Sequence, residues 1–189
     1  QHFIQTPELL CAAPSECKQV YVLIFKALDA AVNAEDFSSV VPAKKLNLAI
    51  KIVKVIAQHH EAKILQTDLY LKNFLVAGDD IYTLDGDGIR QYRFLSRRRA
   101  LKNLAVLISK FDVLDVEQWL PSLLQVYAAA RNWPSVPDLR VFKRLVNQHR
   151  TQVASHYADK KVFRQCTDVN VCCQSGLFEA VSTDFALKH

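Results

Sequence analysis

Two acids and an amide stand at a chemically useful spacing within Gln66 to Asp87, QTDLYLKNFLVAGDDIYTLDGD. Asp68 is followed five residues on by Asn73, then by two short apolar runs, then by Asp85. These groups match what phosphoryl transfer asks of a protein. One carboxylate orients the attacking hydroxyl, and two oxygen ligands hold Mg²⁺ against a triphosphate. A loop and the end of a hairpin can bring all three to one edge.

The flanking sequence supplies elements to hold them. Pro42 opens a helix over about Ala43 to His60, with Leu46, Ala49, Ile50, Val53, Ile56 and Ala57 at helical spacing. Leu48, Ile52 and Val55 widen its apolar face, so most of it is expected to be buried. His59 and His60 fall in its last turn, where partly protonated imidazoles would suit the helix dipole. Ile64-Leu65 reads as a short extended entry to the loop. Phe74-Leu75-Val76 and Ile81 to Leu84 read as two strands joined by a Gly78-Asp79-Asp80 turn.

Upstream, VYVLIF at 20–25 reads as a buried strand, and Phe3 to Leu10 as an edge strand limited by Pro7. AAVNAEDF reads as a short helix. Downstream, SRRRALKNLAVLISKF and VEQWLPSLLQVYAAA read as helices, the second with Pro121 in its first turn. Asp138 caps a helix to about Tyr157, with Phe142, Leu145, Val146, His149 and Val153 facing inward. The tail from Val162 has little periodicity and stays unassigned. The sequence has no internal repeat, low-complexity tract or marked domain boundary. The fold class is therefore α+β, mostly α.

Composition narrows the setting. Half of the 189 residues are apolar, enough for a real core. Mean hydropathy is +0.02, and no run approaches the ~18 apolar residues of a membrane span. QHFIQTPELL lacks the layout of a signal peptide. The net charge of +5 is uneven: residues 1–95 carry ten basic and eleven acidic side chains, residues 96–189 fourteen and eight. A basic half suits an anionic partner, although an ordinary solvated surface gives the same count. The five cysteines, Cys11, Cys17, Cys166, Cys172 and Cys173, fit reduced thiols better than a disulfide framework. Cys166, Cys172 and Cys173 lack a C-x-x-C pair and a nearby His, which argues against zinc.

With these residues in view, the chain resembles the protein-kinase-like superfamily. Asp68 and Asn73 in TDLYLKN and Asp85 in YTLDGDGIR carry the likeness. HHEAKILQTDLYLKNFLV, IYTLDGDGIR and KKVFRQCTDV look like the Kdo/WaaP family of lipopolysaccharide kinases, over roughly Val20 to Val169. The resemblance implies a protein-kinase-like fold. Residues 1–25 would be the partial end of an N-lobe, and 26–189 the helical C-lobe with a C-terminal extension. It implies ATP and Mg²⁺ as cofactors, Asp68 as the base, and Asn73, Asp85 and Asp87 at the metal. Phe25, Lys26, Ala27 and Leu28 would form the hinge that meets the adenine. Lys72 would touch a phosphate or remain an exposed loop lysine. The implied substrate is a Kdo or heptose hydroxyl of the lipopolysaccharide core or a related glycolipid. The place implied is the cytoplasm, peripheral on the anionic surface of the inner membrane.

Departures from the pattern define the alternatives. Gln66-Thr67 stands where protein kinases carry His-Arg, which predicts no control by an activation-loop phosphate. Gly86-Asp87 replaces Phe-Gly. The Gly-rich phosphate loop and the strand lysine paired with a helix glutamate are not among these residues. The chain starts at Gln1 and has no Met. These features predict a native N-terminal part outside this sequence, or a degenerate relative that serves as a binding or scaffold module. Nucleic acid is not expected as a partner: Arg97 to Arg99 form a single cluster with no stacking platform.

Overall fold

The computed structural model describes residues 7–14, 21–36, 44–84, 88–157, 169–174 and 176–182. They form a mixed α/β structure of long helices and small antiparallel sheets. The chain divides into two compact units, 1–143 and 144–189, although the sequence has no composition break there.

The first unit begins with β1 (Leu9–Pro14) paired antiparallel to β2 (Tyr21–Phe25). The expected edge strand at Phe3 to Leu10 lies further along, with residues 1–6 outside the described residues. β3 (Val32–Asn33) occupies part of the expected short helix, because Val32 and Asn33 pair with Val76 and Leu75. Sheet pairing here overrides local helix preference. Helical residues follow at 34–36.

Helix α1 (Lys45–Glu61) closely matches its predicted span, while Pro42 and Ala43 lie outside the described residues. Leu48, Ala49, Ile52, Val53, Ile56 and Ala57 are all buried. α2 (Arg97–Ile108) starts at the Ser96 cap, whose hydroxyl accepts from Arg99 N–H. α3 (Val113–Ala130) packs against α1. It starts earlier than expected because the Asp112 carboxylate accepts from Leu114 and Asp115 N–H. Pro121 is therefore inside the helix and exposed, not in its first turn.

Between α1 and α2 lie β4 (Ile64–Gln66), β5 (Phe74–Ala77), β6 (Asp80–Thr83) and β7 (Ile89–Gln91). β3, β5 and β6 form one sheet; β4 and β7 form another. The β5–β6 hairpin turns at Gly78, whose φ of 61° favours glycine. β7 was not foreseen, since its ladder is a property of pairing with β4 and not of its three residues.

α4 (Leu139–Tyr157) is capped as predicted by Asp138, which accepts from Val141 N–H at 2.8 Å. Phe142 and Val146 are buried, but Val153 is 47% exposed and does not face a core. In the second unit the unassigned tail contains a hairpin, β8 (Val169–Gln174) with β9 (Leu177–Ser182). Cys172 and Cys173 are exposed free thiols on β8; Cys166 lies outside the described residues.

Candidate functional site

The stretch from β4 to β7 is stapled mainly through backbone groups. Thr67 donates its N–H and its hydroxyl to the Gly88 carbonyl at 2.8 and 3.0 Å. A Cβ on Gly88 would sit 3.2 Å from the Asp68 nitrogen, so a larger residue would press the loop apart. Asn73 N–H donates to the Tyr70 carbonyl and closes a 3₁₀ turn over Leu71–Asn73. Leu84 N–H donates to the Asn73 carbonyl at 2.8 Å. Gln66, fully buried, donates its amide to the carbonyls of Leu84 and Asp68. Leu84 and Gly88 are thus both fixed to the Asp68–Asn73 loop. Between them, Asp85 and Asp87 lie outside the described residues.

Asp68 and Asn73 are held differently. Asn73 is 8% exposed and donates its Nδ2 to the Asp68 carbonyl at 3.1 Å. A carbonyl needs a donor, so the amide orientation is fixed, and Oδ1 is left as an acceptor without a partner among the described residues. The half-buried Asp68 accepts hydrogen bonds through its backbone carbonyl, not its carboxylate. Other aspartates have structural uses. Asp112 and Asp138 cap helices, Asp79 pairs with Lys51, and Asp115 pairs with Lys45. Lys51 also holds the Asp79 carboxyl below its usual range by hydrogen bond and charge.

A buried relay reaches the loop from the helices. Asn103 on α2 donates Nδ2 to the Gln66 carbonyl at 2.8 Å. Its Oδ1 therefore faces His60 Nε2, 2.9 Å away, and that nitrogen carries the proton. His60 Nδ1 is then the acceptor for Tyr127 O–H at 2.6 Å. Burial lowers the His60 pKa to about 4, reinforced by the charges of Arg131 and His59 and opposed by the Asn103 hydrogen bond. Burial alone lowers His59 to about 4. Burial is also the main cause that raises the Tyr127 phenol, opposed by Arg131 and aided by Glu61. Both histidines are therefore neutral at pH 7, not the partly protonated imidazoles expected at a helix end. Desolvation outweighs the dipole here.

The relay was missed in the sequence because its members are 37 to 67 residues apart in their contacts. The one local signal was polar Gln66 following apolar Ile64-Leu65 in a short strand.

The remaining candidates are more loosely connected. Lys26 N–H donates to the Glu8 carbonyl at 2.8 Å, and its ammonium pairs with the Glu8 carboxylate at 3.5 Å. Ala27 is exposed, Leu28 is half-buried, and the side chain of Phe25 lies outside what is described. The β3 strand and its ladder with β5 tie this segment toward the loop. Lys72 is exposed, with its ammonium 5.4 Å from the centre of the Tyr70 ring. No group of three His, Cys, Asp or Glu able to hold a metal occurs among the described residues.

No family model and no curated protein matches the chain. Among solved structures, WaaP in complex with acyl carrier protein is similar over 82% of this chain and 70% of that one, with a TM-score of 0.56 and 19% identity. At that identity the likeness is one of fold: the chain shares a mixed α/β architecture with WaaP.

Proposed function

We propose that the chain is the C-lobe part of an ATP-dependent kinase that phosphorylates a sugar hydroxyl of the lipopolysaccharide inner core, Kdo or heptose. Residues 1–25 would close a partial N-lobe, with Phe25, Lys26, Ala27 and Leu28 as the hinge, and 26–189 would be the C-lobe with its extension. The observation that carries this reading is the stapled loop. It leaves the Asp68 carboxylate and Asn73 Oδ1 without structural partners among the described residues, beside the two anchored neighbours of the 85–87 segment. The fold likeness to WaaP supports the same class.

In this mechanism Asp68 takes the hydrogen bond of the attacking hydroxyl. It accepts the proton as the bond to the γ-phosphorus forms and the bond from that phosphorus to the bridging oxygen breaks, releasing ADP. Asn73 Oδ1 and Asp85 would hold Mg²⁺, with Asp87 as a further ligand. When bound, the ion neutralises charge on the transferring phosphoryl group. An amide oxygen and one or two carboxylates suit Mg²⁺, which keeps water and phosphate as its other ligands. No three-acid cluster is required. Gln66, Asn103 and His60 are positioning residues that fix the loop backbone.

A peripheral place on the inner membrane, from the cytoplasmic side, is supported by exposed Arg93, Phe94 and Arg98. Screened attraction to anionic lipid would act there. Among the described residues, no helix is long and apolar enough to cross a membrane.

The test is transfer of the γ-phosphate of ATP to isolated core oligosaccharide by the full-length protein, with Asp68→Asn alongside. Acyl carrier protein is included in a parallel reaction, since it accompanies WaaP in the solved structure. Transfer that depends on Asp68 is the expected result. Binding of oligosaccharide without transfer would favour a scaffold, and equal rates in both proteins would remove Asp68 from the mechanism.

A further inference from the structure

Beside Asp68 the loop carries an arrangement with no structural purpose evident in the fold. Tyr70, two residues after the proposed base, is 48% exposed. Two ammonium groups lie on its ring. Lys110, just beyond the end of α2, is 4.2 Å from the ring centre, and Lys72 of the 3₁₀ turn is 5.4 Å from it. The two cations are therefore within one Debye length of each other, ~10 Å at 0.1 M salt. Neither forms an ion pair among the described residues, whereas Lys26, Lys45, Lys51 and Lys143 each do.

Gathering two like charges is unfavourable, and the ring's negative face offsets it only in part. An anion placed against both ammonium groups would remove the repulsion. A half-exposed tyrosine also offers an apolar face with a polar edge, which suits the C–H face of a sugar ring.

We propose that Tyr70, Lys72 and Lys110 form an acceptor subsite that binds an anionic sugar, through a carboxylate or phosphate adjoining the hydroxyl that Asp68 engages. This rests on the kinase reading and deepens it by assigning the acceptor's charge. The turn separates the subsite from the nucleotide side. Lys72 is exposed, while the adjacent Asn73 is buried with its amide turned to the Asp68 carbonyl.

The experiment is calorimetric titration of the full chain with anionic core oligosaccharide. Carboxyl-reduced and dephosphorylated forms tell which anion is read, and Mg–ATP is titrated separately. Lys72→Gln and Lys110→Gln should each weaken the anionic ligand about threefold, and the pair about tenfold, as expected of partly screened charges. Lys110→Arg should restore most of the affinity, and thermal melts should match the wild type. Tyr70→Leu should weaken anionic and neutral oligosaccharide alike.

The subsite is overturned if wild type binds charged and neutral forms equally, if the lysine variants bind as wild type, or if they lose Mg–ATP instead. Binding with these preferences but no phosphate transfer by the full-length protein supports the subsite while refuting the kinase reading. Transfer unaffected by either lysine does the reverse.

Discussion

The helical region and the loop edge meet at Gln66, and they use polar groups in opposite ways. In the helices, polar side chains serve the structure: Asp112 and Asp138 cap, while Tyr127, His60 and Asn103 pass hydrogen bonds inward. At the edge, backbone groups do the fixing, and the Asp68 carboxylate and Asn73 Oδ1 are left over among the described residues. A buried polar group without a partner is costly, so evolution tends to satisfy it. A carboxylate left unpaired among the described residues, on a backbone held from both sides, is what the proposed role in transfer requires. The relay links the two regions because Asn103 grips the Gln66 carbonyl while the Gln66 side chain grips Leu84 and Asp68.

The sharpest way to break this contrast is Asp68→Asn. If the carboxylate serves chemistry alone, phosphate transfer should fall about a thousandfold, the scale of a lost general base. Thermal stability should stay within about 0.5 kcal/mol, as for a substitution that removes no structural contact. A large fall in melting temperature would show that Asp68 has a structural partner after all.

Acid should separate the regions next. His59 and His60 titrate near pH 4 in the fold, below the ordinary 6.5. Between those values the unfolded chain binds more protons, so stability rises with pH from about 4 to 6.5 and is fully present above that window. As pH falls through it, either imidazole taken alone can cost about 3 kcal/mol, an upper figure because the two charges are coupled. Urea unfolding at pH 7 and pH 4.5 measures the loss. An unchanged midpoint would mean that the histidines ionise freely.

How far these features were legible in the sequence follows from their range. α1 and the β5–β6 hairpin were readable because helical period and the Gly78 turn are local signals. The Asp68, Asn73 and Asp85 spacing was readable for the same reason. The relay was not, because His60 and Tyr127 look like a helix-end imidazole and a core aromatic until α1 packs on α3. β7 has too few residues to declare itself. Pro121 misled because the true helix start, the Asp112 cap, lies nine residues earlier. The site's backbone supports are long-range, and only its chemistry is local.

Cutting the relay should have a smaller effect than acid, and one that reaches across the boundary. Asn103→Leu leaves the Gln66 carbonyl and His60 Nε2–H unpaired and should cost about 2 kcal/mol. Tyr127→Phe removes one bond and should cost about 1 kcal/mol. If the relay positions the loop, Asn103→Leu should also lower kcat severalfold per folded molecule, which a purely structural loss in the folded fraction would not do once rates are normalised to folded protein. A double-mutant cycle between the two sites should show coupling, since they share His60.

The smallest change tests the rule itself. His59 is 2% exposed, and neither ring nitrogen has a partner among the described residues. With the Arg131 Nε, it is an exception in the helical region: a buried polar group without a partner among the described residues. Replacing it with leucine removes two unsatisfied atoms at little cost in volume. His59→Leu should therefore match or exceed the wild type by about 1 kcal/mol at pH 7. Its advantage should grow as pH falls below 6.5, because the variant cannot take up the proton that penalises the fold. Transfer activity should be unchanged, since His59 does not touch the relay's bonded atoms. A loss of more than 1 kcal/mol at pH 7 would instead show that the imidazole is satisfied, by bound water or by a neighbour.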